Sequence, residues 1–377
     1  MNLIERNHCV ISGKEDLEPL YSFKNFPIYM GCVDQPMKND LTTDMNWWIS
    51  RGTGTIQLNP LIPLEELYRE QHAGAVGKTW GDFYQEFAEF IGKYRCERIF
   101  EIGGAHGIIA KKYQSMVKES KWTMLEPNPK MAESEGINII RGFFDEKFSL
   151  KEKIDAIVHS NLIEHMYEPD QFLKNVFNLL PMGGLHLFSI PEMRTMLERG
   201  HTNCINFEHT ILLTESFIDY LLASNGFRIL EKKYFKDGYS VFYATKKIEE
   251  KKRMRILSEY GTNKKIFNEF LKNHSNFVSE INQRMASHNG KVFLFGGHIF
   301  SQYLIGFGLN KTTIDCILDN DPSKQGKRLY GTPFTVNSTK ILGDVKNAAV
   351  ILRAGRYNEE IKNDIIGNIN SETVFWE

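Results

Sequence analysis

The segment IFEIGGAHGIIAKKY, residues 99–113, ends an apolar run in an acid and then breaks into glycines before a pattern with helical spacing. Glu101, followed by Gly103, Gly104 and Gly107, sets a carboxylate beside a loop with few side chains. In an open α/β sheet, ligands sit beyond the carboxyl ends of the strands, and glycines after the first strand let the backbone approach them closely. The spacing is not the dinucleotide fingerprint G-x-G-x-x-G, because the acid precedes the first glycine. A strand-end acid can meet a cationic amino acid and a bare loop can lie against a nucleoside, so the pattern suits S-adenosylmethionine better than a pyrophosphate. A second strand-end acid stands in WTMLEPNP: Glu126, roughly twenty residues on, can accept both ribose hydroxyls, with Pro127 beside it at the cofactor.

These residues need a scaffold that brings strand ends together, and the rest of the chain supplies its pattern. Trp80, Phe83, Tyr84, Phe87, Phe90 and Ile91 recur at three- and four-residue spacing, which predicts a helix from about Val76. Strand-like and helical runs then alternate: RIFEIG, a helix over 107–119, WTMLEP, IDAIVHSN, a helix over 169–180, GGLHLFSIP, a helix over 214–225, FRILEKKYF and YSVFYAT. Such alternation predicts an α/β fold with a parallel-dominated sheet covered by helices, closed by a hairpin of the last two strands. Residues 1–75 read as irregular and turn-rich, 76–246 as the domain just described, and 247–289 as a charged helical linker. A second βαβ start, KVFLFGGHIFSQYLIGFGL, opens a further α/β domain over 290–377.

Composition narrows the partners. Lys+Arg 46 against Asp+Glu 47 leaves a net charge of −1, which gives no electrostatic footprint for nucleic acid or an anionic membrane. No apolar run reaches the ~18 residues of a membrane span, and MNLIERNH lacks the features of a signal peptide. The five cysteines are scattered and odd in number, which reads as reduced thiols in a cytoplasmic protein. Oligomeric state is open.

The stretch NLIEHMYEPDQFLKNVFNLLPMGGLHLFSIPE resembles the class I methyltransferase pattern around its fourth and fifth strands. More narrowly, the chain resembles the sugar C-methyltransferases, which act on nucleotide-linked deoxysugars. In that family a small zinc-binding domain precedes the methyltransferase domain and a second Rossmann-like domain follows. CVISGKEDLEPLYSFKNFPIYMG and GTIQLNPLIPLEELYREQHAGAVGKTW match the N-terminal layout, and FLFGGHIFSQYL with CILDNDPSKQGKRLYGTPF is similar to the C-terminal one. The family holds zinc with two C-x-x-C pairs. Here the corresponding residues are Cys9, Ser12, Ser50 and Thr53, and neutral hydroxyls are poor zinc ligands, so no zinc is expected. Packing of Tyr21, Phe23, Phe26, Trp47 and Trp48 would instead hold this region over the active site.

The resemblance also implies the catalytic residues. The family's Y-x-E-H segment supplies a tyrosine and a histidine that removes a proton from the sugar carbon next to a ketone. Here the segment is NFEHTILL, which assigns His209 as the base and Glu208 as its orienter or a substrate ligand. The tyrosine position holds Asn206, and the later glycine–serine segment is Lys236-Asp237-Gly238-Tyr239-Ser240, so Asn206 and Tyr239 are expected at a rebuilt acceptor pocket. Asn161 and His165, after the fourth strand, are expected to line the cofactor pocket. His165, Tyr239, Tyr68 and His72 are the alternative bases, and Lys324 with Lys327 would lie near substrate phosphates. Keeping the base while losing the tyrosine leaves C- and O-methylation both open. Two other classes remain: an NAD(P)-dependent oxidoreductase, with FLFGGHIF as glycine loop and Asp319 on a ribose, and a non-catalytic nucleotide-binding scaffold.

Overall fold

The computed structural model describes residues 1–69, 78–134, 136–236, 238–249 and 254–377, so His72 and Asp237 lie outside the described residues. At the centre is a sheet of seven strands: β1 (Arg98–Ile102), β2 (Lys121–Leu125), β3 (Ile137–Ile140), β4 (Ala156–Ser160), β5 (Leu185–Pro191), β6 (Phe227–Phe235) and β7 (Ser240–Lys247). Their order across the sheet is β6-β7-β5-β4-β1-β2-β3. The first five run parallel, and β6 and β7 form the expected antiparallel hairpin, with β7 inserted against β5. Strands covered on both faces need unbroken apolar runs. Ala156, Ile157 and Val158 of β4 are accordingly all inaccessible.

Helix Pro169–Leu179, with proline in its first turn where no amide partner is needed, buries Phe172, Leu173 and Val176. On the other face, Phe83 and Phe87 of helix Lys78–Gly92 pack on Phe242 of β7 at ring distances of 5.4 and 5.0 Å. The chain leaves β1 toward β2 and returns on the opposite side of β1 as β4. The loops after β1 and β4 therefore part and open a crevice at the strand ends.

The N-terminal region is more ordered than its sequence suggests. Leu17–Pro27, Thr42–Ser50 and Ile56–Leu58 form an antiparallel sheet. Register shifts between Pro19 and Tyr21 and between Phe23 and Phe26 break the alternation along the first strand, which hides it from a period-two reading. The clean signal is in MNWWIS, where Met45, Trp47 and Ile49 are fully buried.

The fourth strand of this sheet is Ile211–Leu212, two residues after His209. Arg6 fixes the junction: Nη2 donates to the carbonyls of Thr210 at 2.6 Å and Leu58 at 2.8 Å, and Nη1 to that of Tyr167 at 3.2 Å. Burial lowers the Arg6 pKa to about 10, so the guanidinium stays charged at neutral pH.

Three of the four positions that the resemblance matched to zinc ligands, Cys9, Ser50 and Thr53, join Thr55 in a hydroxyl-rich network. Cys9 Sγ lies 3.3 Å from the Thr53 hydroxyl, which is 2.7 Å from that of Thr55, and Ser50 Oγ accepts from the Thr53 amide at 3.1 Å. One thiol among hydroxyls does not fit a structural zinc ion.

A third sheet of five parallel strands comprises Val292–Phe295, Ile314–Leu318, Val336–Asn337, Ala349–Ile351 and Val374–Trp376. The helix preceding it runs only from Tyr260 to Ser287, whereas the sequence suggested helix from residue 247. Glu259, just before it, is pinned by Thr214, Ser216 and Arg194, and its amide donates to Thr53 O, which sets where the helix can begin. The last sheet is strapped to the N-terminal region where Arg328–Leu329 pairs with Cys32–Val33 and Arg328 makes a two-pronged contact with Asp40, both at 2.7 Å. Among the described residues no helix is long and apolar enough to cross a membrane.

Arg6→Met would leave the Leu58, Thr210 and Tyr167 carbonyls without the guanidinium. A loss of about 3 kcal/mol or more is expected in urea unfolding. A loss below about 1 kcal/mol would contradict the role given to Arg6.

Candidate active site

The crevice holds a cavity of about 440 Å³, walled by the loop after β1, the end of β2 and the loop after β4. Glu126, the residue after β2, braces the loop: Oε2 accepts from the Ala105 amide at 3.1 Å and Oε1 from the Asn128 amide at 3.0 Å. A carboxylate has about four acceptor positions, so two remain for hydroxyls in the cavity. Gly103 and Pro127 line the same space. A Cβ on Gly104 would sit 2.2 Å from Met124 Sδ and 2.8 Å from Glu101 Cδ, so only glycine fits above those side chains. Gly107 takes a left-handed φ of 62° at the entry to helix Ile108–Met116.

Glu101 is not on the cavity wall. It lies buried beneath the loop, where Oε2 accepts from the Trp122 indole at 2.7 Å, and burial pushes its pKa up to about 7. Leu125, Phe143, Phe144 and Phe172 give the cavity apolar walls suited to a purine, and Asn161 and His165 also line it. These surroundings fit S-adenosylmethionine: Glu126 for the ribose, the aromatic walls for the base, and Asn161 with His165 for the methionine end.

A second cavity, of about 500 Å³, adjoins the first and shares Asn161 and His165 with it. Its walls carry Glu164, Asn206, Glu208, His209 and Tyr239 from the central domain, and Gly296, His298, Asp319 and Lys324 from the C-terminal sheet. His209 Nδ1 is 2.9 Å from the Cys204 carbonyl, an acceptor only, so Nδ1 carries the hydrogen and Nε2 keeps its lone pair. Burial lowers the His209 pKa, against the opposing pull of that carbonyl and of Glu208.

Asn206 shapes the turn: Oδ1 accepts from the amides of Glu208 at 2.8 Å and His209 at 2.9 Å, and Nδ2 donates to Asn203 O. Glu208 Oε2 is 3.7 Å from His165 Nδ1, which is also 3.0 Å from the Tyr68 hydroxyl. The His165 and His209 rings meet edge to face, 4.9 Å apart. Tyr239 accepts from Asn203 Nδ2 at 3.2 Å, and Lys324 pairs with Asp319 at 3.0 Å. Asp319 Oδ2 also accepts from the Gly297 amide at 2.8 Å, which repeats in the last sheet the brace that Glu126 makes in the central one.

Glu164 is the residue the sequence did not single out. It sits in the turn Ile163–His165 and its side chain is 1% exposed, with Oε1 3.8 Å from His165 Nε2. Its carbonyl accepts from the Thr210 amide at 3.0 Å, which ties this turn to the His209 loop. The available signal was its position in IEH beside His165. Glu164, His165 and His209 each bring a ligand-type atom within 4.8 Å of the others, the one such group among the described residues. The 3.8 Å from His165 Nε2 to Glu164 Oε1 exceeds the roughly 3.3–3.6 Å between donors that share an ion tetrahedrally at about 2.0–2.2 Å.

Residues 68–232 match the family model described as "Methyltransferase domain". A malonyl-[acyl-carrier protein] O-methyltransferase of Porphyromonas gingivalis is 23% identical over 141 residues, 35% of this chain and 55% of that protein. A probable S-adenosylmethionine-dependent methyltransferase of Mycolicibacterium smegmatis is 32% identical over 76 residues, 20% of this chain and 29% of that protein. The chain thus spans little more than half of one of these relatives and less than a third of the other. Among solved structures, an O-methyltransferase family protein from Burkholderia thailandensis aligns over 44% of this chain and 55% of its own, with 10% identity and a TM-score of 0.37. The fold is the Rossmann-like α/β fold of class I methyltransferases, and the chain carries a methyltransferase domain over residues 68–232.

Proposed function

We propose that the protein is an S-adenosylmethionine-dependent methyltransferase whose acceptor is a sugar or a nucleotide-linked sugar. The observation that carries this reading is the wall common to the two cavities: Asn161 and His165 separate a space bearing Glu126 from a space bearing His209. A methyl group crossing that wall would leave one cavity and reach an acceptor held beside His209 in the other. When bound, the cofactor supplies a methyl group already activated on a sulfonium, so the protein's task is to hold donor and acceptor in line. Glu126 would hold the ribose and Asn161 and His165 the methionine end. His209 Nε2 would take the proton that the acceptor loses. Tyr239 and Lys324 line the acceptor side, and the Lys324 ammonium beside the Gly296–Gly297 loop supports a phosphate-bearing carrier there. Asn206 would act through the turn it caps. No zinc takes part in this reading, given the hydroxyl-rich network around Cys9.

Calorimetric titration tests the cofactor half. Glu126→Ala should weaken S-adenosylmethionine binding by roughly 1.5–3 kcal/mol, about 10- to 150-fold. Unchanged affinity would remove the ribose assignment.

Kinetics on a nucleoside-diphosphate-linked sugar test the acceptor half. His209→Ala should keep cofactor affinity and lose about 10²–10⁴-fold in turnover. Because only neutral imidazole accepts a proton and burial lowers the pKa here, the native rate should rise with pH through a value below that of an ordinary histidine. Near-native turnover in the alanine variant would make His209 structural.

A further inference from the structure

We propose that Glu164 works as a neutral carboxylic acid, donating a hydrogen bond to the acceptor oxygen that turns negative when His209 withdraws a proton from the neighbouring carbon. The inference rests on the methyltransferase reading with a carbon beside a ketone as the methylated atom, and adds the residue that carries the developing charge.

Three observations point to it. Glu164 lines the acceptor cavity, yet both its carboxyl oxygens are buried and no other residue among the described ones hydrogen-bonds to them. The Thr210 amide, bonded to Glu164 O, holds its backbone against the His209 loop, and its carboxyl and the His209 ring nitrogen converge within 4.8 Å. Asn206, on the neighbouring turn, spends Oδ1 on the Glu208 and His209 amides and one Nδ2 hydrogen on Asn203 O, so its side chain is held to the turn beside Glu164.

The titratable groups around Glu164 are Tyr68, His165, Glu208 and His209. None donates to its carboxylate, so burial favours the uncharged form and raises the pKa to about 8. A protonated carboxyl is a donor in a dry site, and fixed donors aimed at developing charge are worth most where water is excluded. His209 is neutral for the same reason, which sets a base and an acid on one cavity.

The step balances without a further reagent. His209 Nε2 takes the proton from the carbon beside a ketone, and the C–H electron pair moves toward the oxygen held by the Glu164 O–H. That carbon then bonds to the methyl group as the S–CH₃ bond breaks, leaving a neutral thioether, and the ketone re-forms. The proton on His209 passes to solvent.

Two measurements on the full chain test this. In thermal melts, native protein should lose stability relative to Glu164→Gln as pH rises from about 4.5 through about 8. A group whose folded pKa is raised stabilises fully only below its unfolded value. The gap should shift by roughly 3–10 °C between pH 5 and pH 9. A constant gap would mean an ionised Glu164 and would overturn the proposal.

The second measurement follows loss of the carbon-bound proton from a nucleoside-diphosphate-linked ketosugar in D₂O, by NMR, with S-adenosylhomocysteine bound. Glu164→Gln, which keeps a donor, should slow exchange by about tenfold or less, and Glu164→Leu by ~10²–10³-fold, both with native S-adenosylhomocysteine affinity. Equal exchange in native and Leu variants, equal loss in Gln and Leu variants, dependence on an added divalent cation, or no exchange by native protein would each overturn it. Failure to bind S-adenosylhomocysteine at all would instead count against the methyltransferase reading.

Discussion

A single buried cation organises the active side of this molecule. Arg6 lies far from His209 in sequence, yet its guanidinium bonds the carbonyls of Leu58, Tyr167 and Thr210 and so gathers three separate segments at one point. Hydrogen bonds to a charged donor are stronger than neutral ones, and carbonyls left bare in a dry interior are costly. That asymmetry locks the N-terminal sheet onto the loop that carries His209. The same loop reaches the turn after β4 through the Thr210 amide and the Glu164 carbonyl. The N-terminal region thus holds the candidate site together through Arg6.

Two strand-end acids read alike in sequence and serve differently in space. Glu126 stands on the cavity wall with its oxygens directed at two backbone amides and at the space beyond. Glu101 is covered by its own loop and bonded to an indole, and its raised pKa is the cost of that burial. One carboxylate is available to a ligand; the other props the loop that approaches it. Glu164 makes a third case, a residue lining a cavity whose buried carboxyl accepts from no other side chain among the described residues.

The central sheet was legible because its strands are apolar along their whole length and its helices repeat at three and four residues. The glycine loop and Glu126 were legible because strand ends have a fixed relation to the crevice. The N-terminal sheet was not, since bulges spoil its alternation and its fourth strand comes from residues 211–212, a pairing no local pattern records. Asn206 stood out as a lost tyrosine; only the fold reveals it as a cap. Glu164 was hidden because its setting depends on Thr210, a residue joined to it by tertiary structure alone.

The central claim is that donor and acceptor meet across Asn161 and His165. A crystal structure with S-adenosylhomocysteine tests it most directly. The account requires the ribose hydroxyls on Glu126 and the sulfur at the shared wall, facing the cavity that holds Glu164 and His209. A sulfur turned away from that cavity, or a ligand seated elsewhere, would contradict it.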